Sequence, residues 1–409
     1  MKVNFQSKNK NSAETTHQAQ SSLEALLKRT DLGFFKLPQH PTMWNTAQEV
    51  TTTFAKKFKK FVWVGIGGSS LGPKSMALAF ANEDIYFVEN PDLKTLQSLN
   101  KKMTNWQEVG FVFVSKSGTT IETLSILDYY LSKFEQLKLN LANHSLVITE
   151  LKPSSLYDWA KTNQVPVLEI PLDVGGRFSV LSSVGQVLVG IAHKDIQAFR
   201  KGAASVFEQS YVQNTLLPMI HFYIEGLNHK DVLSYFWYYS DSAYQLGKWL
   251  EQLWAESLAK KELRKGASHI PYVASVPVVA LGANDQHSVL QQMMETQLQK
   301  SVVVHRFTES EEMAELFPKS HFKETSPLQN KKFGMLLKTE AQTMTESQKE
   351  VNNHVMELQL ETLNEFTMGQ YFMTYKLIVG ALGEYMNIEA FNQPGVELGK
   401  IITKKMLAN

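Results

Sequence analysis

Cysteine is absent from the 409-residue chain. Its absence excludes disulfides, thiolate nucleophiles, iron–sulfur ligation and cysteine-type zinc sites. Glycine and proline are sparse, at 22 and 13 residues, which predicts mostly regular secondary structure with few long linkers. An excess of one charge is also missing, because 41 Lys and Arg residues balance 40 Asp and Glu residues. We therefore expect no nucleic-acid partner and no membrane partner, and any anionic ligand must be held by local groups.

Long hydrophobic runs are the next absence. Residues 1–20 contain no apolar core of a signal peptide, and no later segment offers about 18 uninterrupted apolar residues. Together with the missing cysteine, this predicts a cytoplasmic protein. The composition that remains, 43% apolar and 20% charged residues, is that of a folded protein, and the length predicts two or three domains.

Four short apolar runs in the first half of the chain predict buried β-strands. They occupy residues 61–64, 85–88, 111–114 and 146–148. Each run is β-branched or aromatic without polar alternation, which is typical of strands covered on both faces, and helix-length stretches separate most of them. The pattern predicts parallel βαβ units, followed by an edge strand at 165–170.

The second half repeats this rhythm. Strands are predicted at 232–239, 276–281 and 302–307, with a long helix at 243–261. The stretch from 345 to 382 is predicted to be helical, and a polar turn then precedes a short terminal helix.

The predicted fold is α/β, with two domains that are each a mostly parallel sheet flanked by helices, plus a C-terminal helix. The proposed division is an N-terminal segment (1–45), a first domain (46–195), a helical connection (196–228), a second domain (229–385) and a C-terminal turn and helix (386–409).

A glycine-rich loop follows the first predicted strand, where residues 65–75 read GIGGSSLGPKS. A dinucleotide-binding fingerprint needs a third glycine where this chain has Ser70, although Glu89 ends the next strand about where a ribose-binding acid belongs. A Walker-type phosphate loop needs consecutive Gly and Lys, which Pro73 interrupts here. The segment therefore fits a generic anion site, and a tight strand-to-helix turn remains the alternative.

A second loop, SKSGTT at residues 115–120, ends the third predicted strand and runs into a helix. Its four hydroxyls and one ammonium group meet at a helix start, where amide groups are unpaired and the macrodipole is positive. Hydroxyls can donate to phosphate oxygens, and Lys116 offsets part of the charge of the dianion. We interpret the loop as a phosphate cradle, with Ser/Thr capping of an ordinary helix as the alternative.

Two further segments carry candidate ionic groups. Paired glycines precede Arg177. Glycines let the backbone approach a ligand closely, and arginine is a permanently charged donor suited to an oxyanion. The alternative is a surface turn with an ion-paired arginine. On the helix at 243–261, spacings of seven and four residues put Gln245, Gln252 and Glu256 on one face. Glu256 is a candidate base, although such a polar face is usually only solvated.

The last two motifs are a histidine after a strand and a lysine after a polar turn. His287 ends the segment GANDQH at 282–287, where it could exchange protons near neutral pH or be hydrogen-bonded within a helix-start loop. Lys400 ends the segment FNQPGVELGK at 391–400, a kind of position where most lysines face solvent.

Together and in this order, the six motifs resemble the phosphoglucose isomerase family. The resemblance covers nearly the whole chain, and the ordered set GIGGS, SKSGTT, GGRFS, ES, QH and QPGVELGK is specific although each motif alone is not. It implies two sugar-isomerase (SIS) domains and the reversible isomerisation of glucose 6-phosphate and fructose 6-phosphate in glycolysis and gluconeogenesis. It also implies no metal or other cofactor, and a homodimer with shared active sites in which His287 reaches the substrate held by the other chain.

The resemblance also implies roles for residues. Glu256 would move the proton, Arg177 would stabilise the enediolate, and His287 with Lys400 would assist ring opening. Binding of the substrate and its phosphate is implied for Gly68, Ser69, Ser115, Lys116, Ser117, Thr120, Gln252 and Gln393. The chain departs from longer relatives at 258–259, where it has Leu-Ala for Asn-Gly, and at Pro394, where they often carry tryptophan.

The chemistry agrees with these implied roles. Interconverting an aldose and a ketose requires ring opening and then transfer of a proton from C2 to C1, which one carboxylate can perform on one face of a cis-enediolate.

Three alternative functions remain. They are a dual phosphoglucose/phosphomannose isomerase, a non-catalytic sugar-phosphate-binding regulator, and a nicotinamide-dependent dehydrogenase, which Ser70 disfavours.

Overall fold

The structure, a computed structural model, describes residues 1–5, 7, 12–261, 263, 264 and 273–407. Its β-strands are β1 Lys2–Phe5, β2 Lys60–Val64, β3 Ile85–Val88, β4 Val109–Val114, β5 Ser145–Thr149, β6 Val167–Glu169, β7 Leu233–Tyr238, β8 Val276–Leu281, β9 Lys300–Phe307 and β10 His354–Leu360. Its α-helices are α1 Ser12–Leu27, α2 Pro41–Ala55, α3 Leu71–Ala79, α4 Leu93–Lys102, α5 Ile121–Gln136, α6 Ser155–Thr162, α7 Ser183–Ile191, α8 Ile196–Ser205, α9 Gln209–Tyr211, α10 Leu217–Asn228, α11 Tyr244–Leu258, α12 Leu290–Glu295, α13 Thr308–Glu312, α14 Met335–Glu350, α15 Glu365–Tyr385 and α16 Glu397–Leu407.

The first sheet has the strand order β3-β2-β4-β5-β6, and all its strand pairs are parallel. The four strands predicted from apolar runs are confirmed, and β6 is the predicted edge strand. Every residue of β4 and β5 is buried, as expected for strands with helices on both faces. The carboxyl ends of β2 and β4 are adjacent, which brings the two candidate anion loops together.

The second sheet has the order β1-β10-β9-β7-β8. The pairs among β7, β8, β9 and β10 are parallel, whereas β1 runs antiparallel to β10. Strands β7, β8 and β9 match the three predicted in this half.

The prediction of a continuous helix from 345 to 382 is wrong, because β10 interrupts it and pairs with β9. The polar residue Glu357 of β10 accepts a hydrogen bond from Arg306 at 2.9 Å, so a charged side chain is accommodated in this strand.

Helix α15 lies in the centre of the fold and is buried along most of its length. It packs against α1, α8, α10 and α11, so helices distant in sequence contribute to the same hydrophobic cluster. The predicted α/β class, with mostly parallel sheets, flanking helices and a C-terminal helix, is confirmed. The division of the chain into five parts stays a prediction, although residues 2–5 of its N-terminal segment supply an edge strand to the second sheet. None of the helices in the described part of the chain is long and apolar enough to cross a membrane.

Candidate active site

The glycine-rich loop follows β2 and turns into α3. Gly67 has a φ of +57°, and a Cβ there would lie 2.8 Å from the side-chain amide nitrogen of Gln252, so this position requires glycine. A Cβ on Gly68 would lie 2.3 Å from the carbonyl oxygen of Gly176. The loop therefore contacts α11 and a second paired-glycine turn, and it leaves Ser69 partly exposed.

The acid that a dinucleotide site would require is already engaged. The hydroxyl of Ser70 donates to Oε1 of Glu89 at 2.8 Å, and the ammonium of Lys74 donates to Oε2 at 2.5 Å. Ser70 itself is fully buried. These contacts hold the loop and the start of α3 against the end of β3. They also weigh against the dehydrogenase alternative, because Glu89 would have to leave both partners to bind a ribose.

The hydroxyl loop, residues 115–120, follows β4, and its hydroxyl side chains form hydrogen bonds with one another and with the backbone of the loop. The hydroxyls of Ser115 and Thr120 are 2.8 Å apart, and Ser115 Oγ also accepts from the Gly118 amide at 3.1 Å. Ser117 Oγ accepts from the Thr119 amide at 3.3 Å. Thr120 precedes α5, but its side chain makes no capping hydrogen bond. The hydroxyls are thus held near the positive end of α5 without capping by Thr120.

The ammonium group of Lys116 lies beside this loop in a partly paired state. It is 3.5 Å from Oε1 of Glu150 and donates to the carbonyl of Leu172 at 3.3 Å. Lys152 also pairs with Glu150, so one carboxylate is shared by two cations. Because an ammonium group has three donors, Lys116 can turn toward a phosphate bound in the loop.

Arg177 is buried, which excludes the surface-turn alternative for this arginine. Its Nε donates to the hydroxyl of Ser257 at 2.7 Å, and its Nη2 donates to the carbonyls of Ala390 and Asn392 at 2.5 and 3.1 Å. Its Nη1 lies 3.5 Å from Oε2 of Glu256 and makes no hydrogen bond with the described residues. A buried donor that is ion-paired but makes no hydrogen bond is unusual, and it can donate to an acceptor from outside the chain.

Glu256 faces this donor from the last turn of α11. Its Oε1 accepts from the side-chain amide of Gln252 at 3.0 Å, and the other amide atom, Oε1 of Gln252, is buried without a hydrogen-bond partner among the described residues. Burial lowers the pKa of Arg177 to about 10, and the carboxylates of Glu256 and Glu389 oppose that effect. The guanidinium therefore remains charged near neutral pH beside a carboxylate that is partly open to solvent.

A cavity of about 470 Å³ opens onto Glu256 and Gln393. Lys260 lines the same cavity, and its pKa is lowered to about 8, mainly by burial and further by Arg177. Lys260 and Ser257 are not among the site residues predicted from the sequence. The signal for both was their position just after Glu256, at the end of a helix whose last carbonyls lack intrahelical partners.

A larger cavity, of about 680 Å³, has Lys300 and His354 in its lining. These residues begin β9 and β10, so this cavity lies at the amino ends of the strands. Ligands of parallel sheets bind at the carboxyl ends of strands, and none of the residues implicated above lines it. The smaller cavity is therefore the better candidate site.

Two of the predicted catalytic residues are not joined to Glu256 by any contact described in this chain. His287 ends the 3-10 helix Asn284–His287 and is exposed. Lys400 lies on α16, where its ammonium pairs with Glu397 at 2.8 Å and its side chain is 63% exposed. The fold thus gathers Arg177, Gln252 and Glu256 but leaves the two ring-opening candidates at the surface.

Comparison with known proteins gives consistent results. A model of the phosphoglucose isomerase family matches residues 43–409. A glucose-6-phosphate isomerase of Thermus thermophilus is 33% identical over 359 residues, which cover 85% of this chain and 84% of that protein. That of Campylobacter jejuni is 29% identical over 392 residues, 93% of each chain. Among solved structures, a hypothetical protein from T. thermophilus is similar with a TM-score of 0.86 and 28% identity, covering 98% of this chain and 97% of the other.

Proposed function

This chain belongs to the phosphoglucose isomerase family, and we propose that it interconverts glucose 6-phosphate and fructose 6-phosphate with Glu256 as the base. The observation that carries this proposal is the pairing of the Glu256 carboxylate with a buried guanidinium whose Nη1 has no hydrogen-bond partner among the described residues. A base and an unused cationic donor side by side are what proton abstraction next to a carbonyl requires. The reaction serves glycolysis and gluconeogenesis in the cytoplasm.

The chemistry begins with ring opening, for which His287 and Lys400 supply the acid and base. Glu256 then takes the proton from C2 of the open-chain aldose and returns it to C1, while a second proton moves from O2 to O1. The C1 aldehyde thus becomes a hydroxymethyl group, the C2 alcohol becomes a ketone, and the enzyme ends in its starting protonation state. Arg177 Nη1 donates to the enediolate oxygen as negative charge develops there. Gln252 and Gln393 orient the sugar hydroxyls.

The phosphate takes no part in the bond changes and serves as an anchor. Ser69, Ser115, Lys116, Ser117 and Thr120 hold it, together with the backbone at Gly68. Fixing this remote end allows its binding energy to keep C1 and C2 in place beside Glu256. The adjacent carboxyl ends of β2 and β4 support this assignment, because both loops can reach one phosphate.

The working unit is a homodimer with shared sites. His287 is exposed and makes no described contact with Glu256 in its own chain, so a second chain can bring it to the substrate. Helix α16, which carries Lys400, has no buried residue and exposes Leu398, Ile402 and Met406. Such apolar exposure favours association, and a closed two-fold dimer would form two equivalent composite sites.

The direct test is a coupled assay with fructose 6-phosphate and no added metal or nucleotide in the isomerisation step. We expect glucose 6-phosphate to form, with exchange of the transferred proton for deuterium in deuterated water, because a carboxylate partly open to solvent can exchange its proton during the reaction. Failure of the pure protein to form glucose 6-phosphate would contradict the proposed function.

Shared sites can be tested by mixing two inactive homodimers. The Glu256→Gln and His287→Ala variants are each expected to be weakly active at best. After subunit exchange, one site of each hybrid carries both native side chains, so activity is expected to return to about a quarter of the parent's in a random equimolar mixture.

A matched control mixes Glu256→Gln with Arg177→Lys. Both changes affect groups that meet within one chain, so no hybrid has an intact site and no activity beyond the sum of the two is expected. If native mass spectrometry shows subunit exchange in the first mixture but no activity returns, His287 does not act across the interface.

A further inference from the structure

We propose that Lys260 is a positioning residue, which holds the end of the helix that carries Glu256 against the segment that carries Gln393. The inference rests on the proposed function, which supplies the reaction whose geometry is held. Lys260 lies just beyond α11. Its ammonium donates to the carbonyl of Glu256 at 2.7 Å and to the carbonyl of Asn392 at 2.6 Å.

The acceptor on the second segment is shared with the catalytic arginine. Arg177 Nη2 donates to the same Asn392 carbonyl and to the carbonyl of Ala390. The ammonium of Lys260 and the guanidinium of Arg177 therefore both bind the backbone directly before Gln393. Loss of either is expected to let Gln393 and Glu256, which line the same cavity, move apart.

A simpler role for Lys260 is satisfaction of a free carbonyl at a helix C-terminus. The bond to Glu256 alone would fit that role. The bond to Asn392 does not, because it joins residues 132 positions apart in the sequence. Lys260 thus connects two parts of the site, and its contribution can be separated from helix capping by kinetics.

The charged surroundings of Lys260 give that separation a pH signature. Arg177 faces it from the 3-10 helix Gly176–Leu181, Glu256 from α11, and Glu389 from the segment before Asn392, while Lys261 lines the same cavity. Burial and Arg177 lower the pKa of Lys260 to about 8 against the opposing effect of the two carboxylates. As the pH rises through that value, the ammonium loses its charge and its two hydrogen bonds weaken. We therefore expect kcat/KM to decline over the same pH range.

The experiment compares Lys260→Met and Lys260→Arg with a control, Lys248→Met, which removes a lysine paired with Glu251 on the same helix. Each protein is assayed with fructose 6-phosphate from about pH 6 to about pH 10, and its thermal unfolding is measured. We expect Lys260→Met to lower kcat about tenfold to a hundredfold near neutral pH, with KM within about threefold of the parent, because the phosphate anchor is intact and the reacting groups are displaced.

The arginine variant tests the charge itself. Lys260→Arg stays charged over the whole range, so kcat near neutral pH is expected to stay within about threefold of the parent and the alkaline limb of kcat/KM to move up by more than about one pH unit. The control is expected to retain the parent's kcat and pH profile.

Three results would count against the inference. If the parent is active and its Lys260→Met variant keeps both the parent's kcat and the alkaline limb of kcat/KM, the inference about Lys260 is overturned and the proposed function is unaffected. A Lys260→Arg variant whose alkaline limb stays at the parent's pH also overturns it, and this variant decides the question if Lys260→Met does not fold. A parent that does not isomerise fructose 6-phosphate contradicts the proposed function and removes the reaction on which the inference rests.

Discussion

Replacing Glu256 by glutamine is expected to lower kcat by about three orders of magnitude, within the hundredfold to ten-thousandfold that a positioned general base contributes, because Glu256 is the carboxylate paired with Nη1 of Arg177. The amide preserves the size of the side chain, and its oxygen can still accept from Gln252. Binding of phosphate-bearing ligands is expected to persist, since the hydroxyl loop after β4 is untouched. Steady-state kinetics and direct binding of a substrate analogue measure the two effects separately.

The matched control for this prediction is Glu251→Gln on the same helix. Glu251 pairs with Lys248 and is half-buried, so its loss removes a carboxylate from α11 without touching Arg177. The control is expected to keep the parent's kcat. A Glu256→Gln protein that retained a tenth of the parent's turnover would show that another group is the base.

The double variant Ser115→Ala/Thr120→Ala is expected to lower kcat/KM at least about a hundredfold, mostly through KM, because hydrogen bonds to a charged group contribute about 1.5–3 kcal/mol each. The two hydroxyls satisfy each other at 2.8 Å in the free protein, so both are available to a phosphate that displaces their mutual bond. The effect is measured by initial rates with fructose 6-phosphate over a wide range of concentrations.

The control for the hydroxyl loop is Ser125→Ala on α5, which removes a hydroxyl that bonds only to the backbone of its own helix in the described contacts. It is expected to leave KM unchanged. Inorganic phosphate is expected to compete with substrate in the parent and much less in the double variant. If the double variant binds substrate as the parent does, the loop is a helix start and no more.

The strands of the first sheet were predictable because burial on both faces leaves a simple record in the sequence. Residues 111–114 are all apolar and all lie within the fully buried β4. The strand β10 was missed because it contains the buried His354 and the partly buried Glu357, which contact charged partners distant in sequence. Strand β1 was missed for a related reason, since its four residues are ordered by pairing with β10. Such partners cannot be inferred from local periodicity.

The candidate site was predictable where a motif is contiguous. The loop at 115–120 places its hydroxyls together within one turn of chain, and spacing on a helix places Gln252 beside Glu256. The roles of Lys260 and of the Asn392 carbonyl depend on a contact between segments far apart in sequence, which no local pattern records. The positions of His287 and Lys400 at the surface show a further limit, because one chain alone does not assemble every group assigned to the site.

The pairing of β1 with β10 also bears on the order in which the molecule can form during its synthesis. The strands of the first sheet occupy a continuous stretch from β2 to β6, so that sheet can assemble while translation continues. Strand β1 leaves the ribosome before them, but its partner β10 follows roughly 350 residues later, on the order of 20 to 70 seconds at ordinary elongation rates. During that interval the backbone groups of β1 have no native partner, and an unpaired strand can associate with another chain. A nascent chain in which the first sheet has formed therefore still carries β1 as an unpaired strand.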